Sequence, residues 1–504
     1  MKLIETRYVF SAKLYSLQGR QKPSYVLSVY QKLHAKTGME VQLEAMDLNV
    51  FLKETVCLRP SEQSQRQTIE LSGLDRISPA ILYAVFFYKC NLNSETENSV
   101  ERAKRALQKV LVSWYPAAGR FRISDATGKL EIDCNDEGVT MITAVCDSKL
   151  EELGKLHEYK PCYEKLVPQL SDADDISKNP LVLLQITRFA CGGLSVGVGG
   201  SHALFDGSGA FTFLASWAHI SSGKDESDLI VPNHSRDAIL RAIYSLHSTP
   251  SAASIYEQDH IIAIEDLYGI PMQTRASDDR CWETALAKFS QVDPQGGLEL
   301  ITFCINMETV ETLKAIAIER GKLLKCSTFD VLCAHVWKAR VKALLLDPNT
   351  NICLQFPVDS RNRFQPPLGE NFTANAFVLA SVSCLVKELL EEPLHGTIHK
   401  IQAAKDIITD EYIKLYAKAL ESSNKFLPSM RELTIITDWL KFPFNALDFG
   451  WGKLSSAALL ATPVQETAFL MKNLEESGGF LVRIGIGGEY VHDLISNFNN
   501  FNYC

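Results

Sequence analysis

Between Val196 and Phe211 the chain reads VGVGGSHALFDGSGAF, which sets His202 four residues before Asp206. An imidazole with an ordinary pKa of about 6.5 is suited to general-base chemistry at neutral pH. It can take the proton of a hydroxyl or amine as that group attacks a carbonyl. Asp206 can hydrogen-bond the ring, or turn away and secure the loop by pairing with an arginine. A purely structural reading also fits the residues: a buried histidine satisfied by a neighbour, and an aspartate capping the helix near Gly207. A rival signature overlaps the same stretch. GLSVG at Gly193–Gly197 has the G-x-S-x-G form of a serine-hydrolase elbow. An elbow serine needs a strand before it, a sharp turn at it and a helix after it. Ser195 instead lies inside an alternating strand-like run, and the helix signal starts only after Gly207–Gly209.

A second constellation stands near the C-terminus. DFGWGK covers Asp448, Phe449, Gly450, Trp451, Gly452 and Lys453. Its glycines allow positive φ and close backbone approach, and Trp451 is a large rigid plate between them. The DFG of kinases is set aside, because neither a Gly-rich loop with a V-A-I-K lysine nor H-R-D accompanies it.

The elements that must position these residues follow from periodicity. SPAILYAVFFYK is a β-branched and aromatic strand run, and Ala103, Leu107, Val110 and Leu111 recur at helical spacing. LVLLQITRF and LSVGVGG read as successive buried strands that deliver His202. Gly199, Gly200 and Ser201 leave room there for another chain or a ligand. A helix carrying Phe211, Leu214 and Trp217 follows. CSTFDVLCAHVWKARVKALL reads as a buried helix capped by Ser327 or Thr328. ICLQFPVDSRNRF is a strand that leaves through an Arg-rich turn. The expected architecture is α/β, with mixed sheet and helices in two halves. The boundaries are an N-terminal extension at 1–38, a first domain at 39–221, a polar crossover loop at 222–296 and a second domain at 297–504.

Composition narrows the class. The 504 residues are 46% hydrophobic, enough for a large core, and the net charge of −9 argues against a general nucleic-acid or membrane-surface binder. Thirteen cysteines show no C-x-x-C and no zinc-like spacing, which fits reduced thiols and no metal site. No segment approaches the ~20 apolar residues of a membrane span, and the opening residues carry no apolar core of signal-peptide length and no small-residue cleavage site. A cytoplasmic protein is expected.

Taken together, HALFDG and DFGWGK resemble the two signatures of the plant BAHD acyl-CoA-dependent acyltransferases. WYPAAGRF, STFDVLCAHVWKAR, VDSRNRFQPPLGENFTANA and ITDWLKFPF fall in family order, so the resemblance covers about residues 39–504. It implies a monomer of two chloramphenicol acetyltransferase-like domains, with a channel at their interface where acyl-CoA and an acceptor meet at His202. It implies no bound cofactor, with acyl-CoA as a co-substrate. The resemblance makes His202 the general base of a direct attack on the thioester, without an acyl-enzyme. It makes Asp206 and Gly207 structural, with Arg361, or second Arg363, as the aspartate's partner. Thr437 and Trp439 match pocket positions of hydroxycinnamoyl-transferring members, where a hydroxyl can bond the oxyanion. Asp448–Gly452 shape the CoA side of the channel. Departures are Leu454 for a proline, Ala374 for a glycine, and Thr437-Asp438 before the tryptophan. Shikimate-accepting relatives carry an arginine where this chain has Lys441, which lacks the bidentate fork. The expected donor is hydroxycinnamoyl-CoA or another aromatic or aliphatic acyl-CoA. The acceptor is a hydroxyl or amine of a specialised metabolite or lipid-like molecule. The alternatives are a non-catalytic partner protein in lipid elongation and a serine hydrolase.

Overall fold

The computed structural model describes residues 47–501, apart from positions 65, 77–80, 90–95, 169–175, 246–272, 275–297, 322, 423–424, 427–430, 461–466 and 476–477. The extension at 1–38 and most of the crossover loop lie outside the described residues.

The first half carries strands β1 (Val50–Leu58), β2 (Gln67–Glu70), β3 (Ile81–Tyr88), β4 (Arg120–Ile123), β5 (Leu130–Cys134), β6 (Val139–Cys146), β7 (Val182–Phe189) and β8 (Leu194–Ser201). Its helices are α1 (Gly73–Arg76), α2 (Thr96–Ser113), α3 (Gly207–Ser221) and α4 (Asp237–Ser245). A two-residue ladder joins β9 (Gln273–Thr274) to β13 (Lys425–Phe426). The second half adds β10 (Leu298–Ile305), β11 (Asn351–Asp359), β12 (Phe377–Leu385), β14 (Leu433–Asp438), β15 (Ser456–Leu459), β16 (Thr467–Lys472) and β17 (Phe480–Gly487). Its helices are α5 (Met307–Gly321), α6 (Thr328–Ala343), α7 (Val386–Glu391), α8 (Leu394–Asp406), α9 (Asp410–Ser422) and α10 (Val491–Phe498).

Two six-stranded mixed sheets result, ordered β1-β6-β7-β8-β3-β15 and β10-β17-β16-β14-β11-β12. The first sheet is completed by the second half of the chain, because β15 pairs antiparallel with β3. Each half has its own core cluster. The first gathers Leu107, Phe211 and Trp217 with Phe449 and Trp451, and the second gathers Trp337, Phe356 and Val482. The apolar spacing of α2 and α3 explains their pairing: Ala103, Leu107, Val110, Phe211, Leu214 and Trp217 are all buried, and Trp217 Nε1 donates to Ala103 O at 2.8 Å. Ser327 caps α6 reciprocally. Its Oγ accepts from Asp330 N at 3.1 Å, and Asp330 Oδ2 accepts from Ser327 N at 3.0 Å.

Candidate active site

Strand β8 is held on both sides. Ile81 pairs with Ser201 and Val182 with Gly200, so the strand's end is fixed to within a residue. Ser195 sits mid-strand opposite Phe87 and Thr187, fully buried, with no turn at it. The elbow geometry is therefore missing. The chain turns immediately after Ser201, where Leu204 N donates to Ser201 O at 3.1 Å, and His202 is the first residue of that turn. Its ring is half-buried and meets the Phe377 ring edge-on at 5.8 Å. Nδ1 is buried without a hydrogen-bond partner. Burial pulls the imidazole pKa down. The Asp206 charge, the residue's own carbonyl, Asn375 and Asp75 oppose this, and the net direction is down. The ring is thus neutral at neutral pH, the state a base requires.

Asp206 has other tasks. It is the N-cap of α3, with Oδ1 accepting from Gly209 N at 3.0 Å. The same oxygen accepts from Arg361 Nη2 at 2.9 Å, and Oδ2 accepts from Ala376 N at 3.1 Å. Both oxygens are engaged away from the imidazole. Arg361 in turn donates to Phe372 O at 3.0 Å, Ala374 O at 3.1 Å and Asp359 Oδ1 at 3.2 Å. Arg363 lies elsewhere, donating to Lys405 O at 2.7 Å and Ile408 O at 2.9 Å. The small residues around the motif serve chain packing. A Cβ on Gly209 would come within 2.3 Å of Thr373 O, and one on Gly207 within 2.5 Å of the Phe442 ring. At these two positions the second half of the chain comes up against the glycine backbone.

Three buried residues beside the motif have no counterpart in the sequence reading. Asn375 Nδ2 donates to His202 O at 2.8 Å and to Asp75 Oδ1 at 3.0 Å. Asp75 Oδ2 accepts from Ser72 Oγ at 2.8 Å and lies 3.5 Å from Arg236 Nε. Arg236 Nη2 donates to Leu204 O at 2.8 Å. The carbonyls of His202 and Leu204 are therefore each held by a side chain from outside the loop. Asn375 and Asp75 are 300 positions apart. The one local hint was a lone asparagine between Ala374 and Ala376.

Thr437 and Trp439 fall at the end of β14, both half-buried. Trp439 packs edge-on to Phe211 at 5.5 Å and to Phe442 at 5.4 Å, which brings it to the first turns of α3. Among the described residues no hydrogen bond joins Thr437 to His202. Asp448 Oδ1 accepts from Gly450 N at 2.8 Å and Gly452 N at 3.2 Å, closing a tight turn in which both glycines have positive φ, 82° and 95°. Phe449 and Trp451 stack at 4.8 Å and both meet Tyr88 of β3 edge-on. This motif is a plug in the first core, directly before β15 joins the first sheet.

Among the described residues no group of three His, Cys, Asp or Glu side chains could hold a metal ion, and no helix is long and apolar enough to cross a membrane.

Comparison with known proteins identifies the family and the fold. A family model described as "Transferase family" matches residues 48–487. Brassinosteroid-related acyltransferase 1 of Arabidopsis thaliana is 38% identical over 464 residues, covering 90% of this chain and 99% of that one. Omega-hydroxypalmitate O-feruloyl transferase of the same plant is 30% identical over 444 residues, covering 87% and 90%. Among solved structures, vinorine synthase superposes with a TM-score of 0.66 at 20% identity, covering 89% of this chain and 98% of that one. F. graminearum TRI101 complexed with coenzyme A and deoxynivalenol also gives 0.66, at 15% identity, covering 85% and 97%. These two show the two-domain fold. With a matching model over most of its length and acyltransferase relatives covered nearly end to end, the chain belongs to the BAHD family of acyltransferases.

Proposed function

We propose that the protein transfers an acyl group from an acyl-CoA thioester to a hydroxyl or amine of a small acceptor, with His202 Nε2 as general base. The observation that carries this reading is a neutral, half-buried imidazole at a strand end, with its neighbouring carboxylate fully engaged elsewhere. The acceptor gives its proton to Nε2 as its oxygen or nitrogen attacks the thioester carbonyl carbon. The tetrahedral intermediate collapses, the C–S bond breaks, and the imidazolium returns a proton to the departing CoA thiolate. Thr437 is the candidate hydroxyl donor to the oxyanion, and Trp439 a wall of the acceptor pocket. Asp206, Gly207 and Arg361 hold the loop. Asp448, Phe449, Gly450, Trp451 and Gly452 hold the channel wall on the CoA side. The division at residues 38, 221 and 296, a monomeric state and a cytoplasmic location are parts of the same reading.

The donor is aromatic or aliphatic, hydroxycinnamoyl-CoA first. The relatives' names, a brassinosteroid-related acyltransferase, an omega-hydroxypalmitate O-feruloyl transferase and a fatty alcohol:caffeoyl-CoA acyltransferase, favour an apolar hydroxyl-bearing acceptor. The test is acceptor-dependent release of CoA thiol over a donor-by-acceptor panel. His202→Ala is expected to lower kcat/KM by about 10²–10⁴-fold, the worth of a general base. An unchanged rate removes the general-base assignment.

A further inference from the structure

Outside the His202 site, one cluster of titratable side chains has the order of a nucleophile, a base and an orienting carboxylate. His157 lies in a turn of the first half, between the strands of one sheet and the loop that leads to β7. Its Nδ1 is 2.8 Å from Glu475 Oε1, and its Nε2 is 3.3 Å from Cys304 Sγ. Cys304 and Glu475 both belong to the second half. With a carboxylate on Nδ1, the neutral tautomer that matches it carries its proton there and turns the Nε2 lone pair to the thiol. With both ring nitrogens used in a line, the three groups form a relay, and no common point is left for a cation.

The relay is built into the fold. His157 is 2% exposed, and its carbonyl accepts from Nη2 of Arg483, itself 1% exposed. The same guanidinium donates through Nε to Thr302 Oγ1 at 3.1 Å and through Nη1 to Leu459 O. Thr302 stands two residues before Cys304 on edge strand β10, so one buried arginine fixes both the base and the strand that carries the thiol. Glu475 N donates to Asn473 Oδ1 at 3.1 Å, which secures the carboxylate's loop. Phe303 and Ile305 point into the core, whereas Cys304 points out and is exposed. Burial and the carboxylates of Glu158 and Glu475 push the thiol up, and Lys155 pulls it down. The net direction keeps it protonated at rest, so His157 acts at the moment of attack, as a base does toward a serine.

We propose that Cys304, His157 and Glu475 form a second nucleophilic site, distinct from His202, at which Cys304 is S-acylated by an acyl thioester. Cys304 Sγ attacks the thioester carbonyl carbon as its proton passes to His157 Nε2. The carbon–sulfur bond to the carrier thiol breaks, and that thiolate leaves with the proton from His157. The products are S-acyl-Cys304 and free thiol, with no change of oxidation state. The choice of thioester rests on the acyl-CoA reading above; the activated thiol does not.

The test is peptide mass mapping of the full-length protein after incubation with an acyl-CoA and no acceptor. A hydroxylamine-labile acyl adduct on the Cys304 peptide is expected, absent in Cys304→Ser and formed at least tenfold more slowly in His157→Gln. Cys57 is the other exposed thiol among the described residues; it donates to a backbone carbonyl and lies beside Arg120, with no imidazole to take its proton. Its slower labelling is the internal reference. Glu475→Gln is the second variant, with a smaller slowing, should His157→Gln fail to fold. His202→Ala is expected to keep the adduct, and Cys304→Ser to keep acceptor-dependent acyl transfer, so the two readings fail separately. No adduct on Cys304, or equal rates in Cys304 labelling with and without His157, overturns the proposal.

Discussion

Arg361 Nη2 lies 2.9 Å from Asp206 Oδ1, with both side chains less than a tenth exposed, and 155 positions of sequence separate them. The pair joins the loop that follows the first sheet to the turn between β11 and β12. Removing one member of a buried pair leaves the other charge uncompensated. Arg361→Met is expected to cost about 3–5 kcal/mol of stability. Asp206→Asn combined with Arg361→Met is expected to cost less than the sum, with a coupling on the order of 1–3 kcal/mol. Denaturant titration of the four proteins measures it, and simple additivity would show that the pair does not act as a unit.

The acidic limb of kcat/KM should sit below the ordinary histidine range. His202 must be neutral to act, and burial lowers its pKa, so the rate holds constant as pH falls through about 6.5 and drops only below it. Asp206 raises that pKa by its charge, so Asp206→Asn should move the limb to still lower pH. A limb at or above the ordinary value would contradict the desolvated ring.

Asn375 acts on His202 through the backbone. Asn375→Ala removes the donor to His202 O and one of the two Asn375 donors to Asp75 Oδ1, leaving the amide of residue 375. The expected loss is about 1–3 kcal/mol of stability, the cost of unsatisfied buried acceptors. The kinetic signature is a fall in kcat of roughly tenfold or more with KM little changed, because a displaced base loses geometry before binding. A rise in KM alone would place Asn375 in substrate binding.

Stability itself should fall with acid. Burial holds His234 and His335 at about 4, below the unfolded value of about 6.5. The unfolded chain therefore binds protons that the folded chain refuses, and stability is lost as pH falls from about 6.5 toward about 4. Each histidine accounts for a loss on the order of 3 kcal/mol across that window. Urea midpoints across this window are the measurement. His335→Phe should flatten the slope, and no change in slope would remove His335 from it.

Gly450 tests the plug. Its φ is +82°, and a Cβ there would lie 3.2 Å from Arg102 Nη2 and 3.3 Å from Ser222 Cα. Gly450→Ala is expected to destabilise by about 1–2 kcal/mol while kcat at saturating substrate is preserved. A loss of kcat without a loss of stability would move DFGWG into the chemistry.

Much of this protein was legible in its residues. Continuous β-branched, aromatic and apolar runs marked β3, β7 and β8, and 3.6-residue spacing marked α2 and α3, because strands covered on both faces and helices buried on one face write their burial into nearby positions. The same local logic placed His202 at a strand end and Ser195 inside the strand. Ser327 or Thr328 announced the start of α6, and the reciprocal bonds with Asp330 make Ser327 the cap. The sequence by itself thus determined the elements, the family and the residue that emerges where chemistry can occur. Other features depend on chain segments meeting from far apart, and no local pattern records such meetings. The crossing of β15 into the first sheet, and the approach of Thr373 and Phe442 to the glycine backbone, belong to that class. So do the grip of Asn375 and Arg236 on the loop carbonyls and the alignment of Cys304 with His157 and Glu475. Asp206 shows the division most clearly. Its spacing from His202 left a ring partner and a loop-holding role open, the family resemblance pointed to the loop and to Arg361, and the arrival of Arg361 and Ala376 from the second half is what turns its carboxylate away from the imidazole.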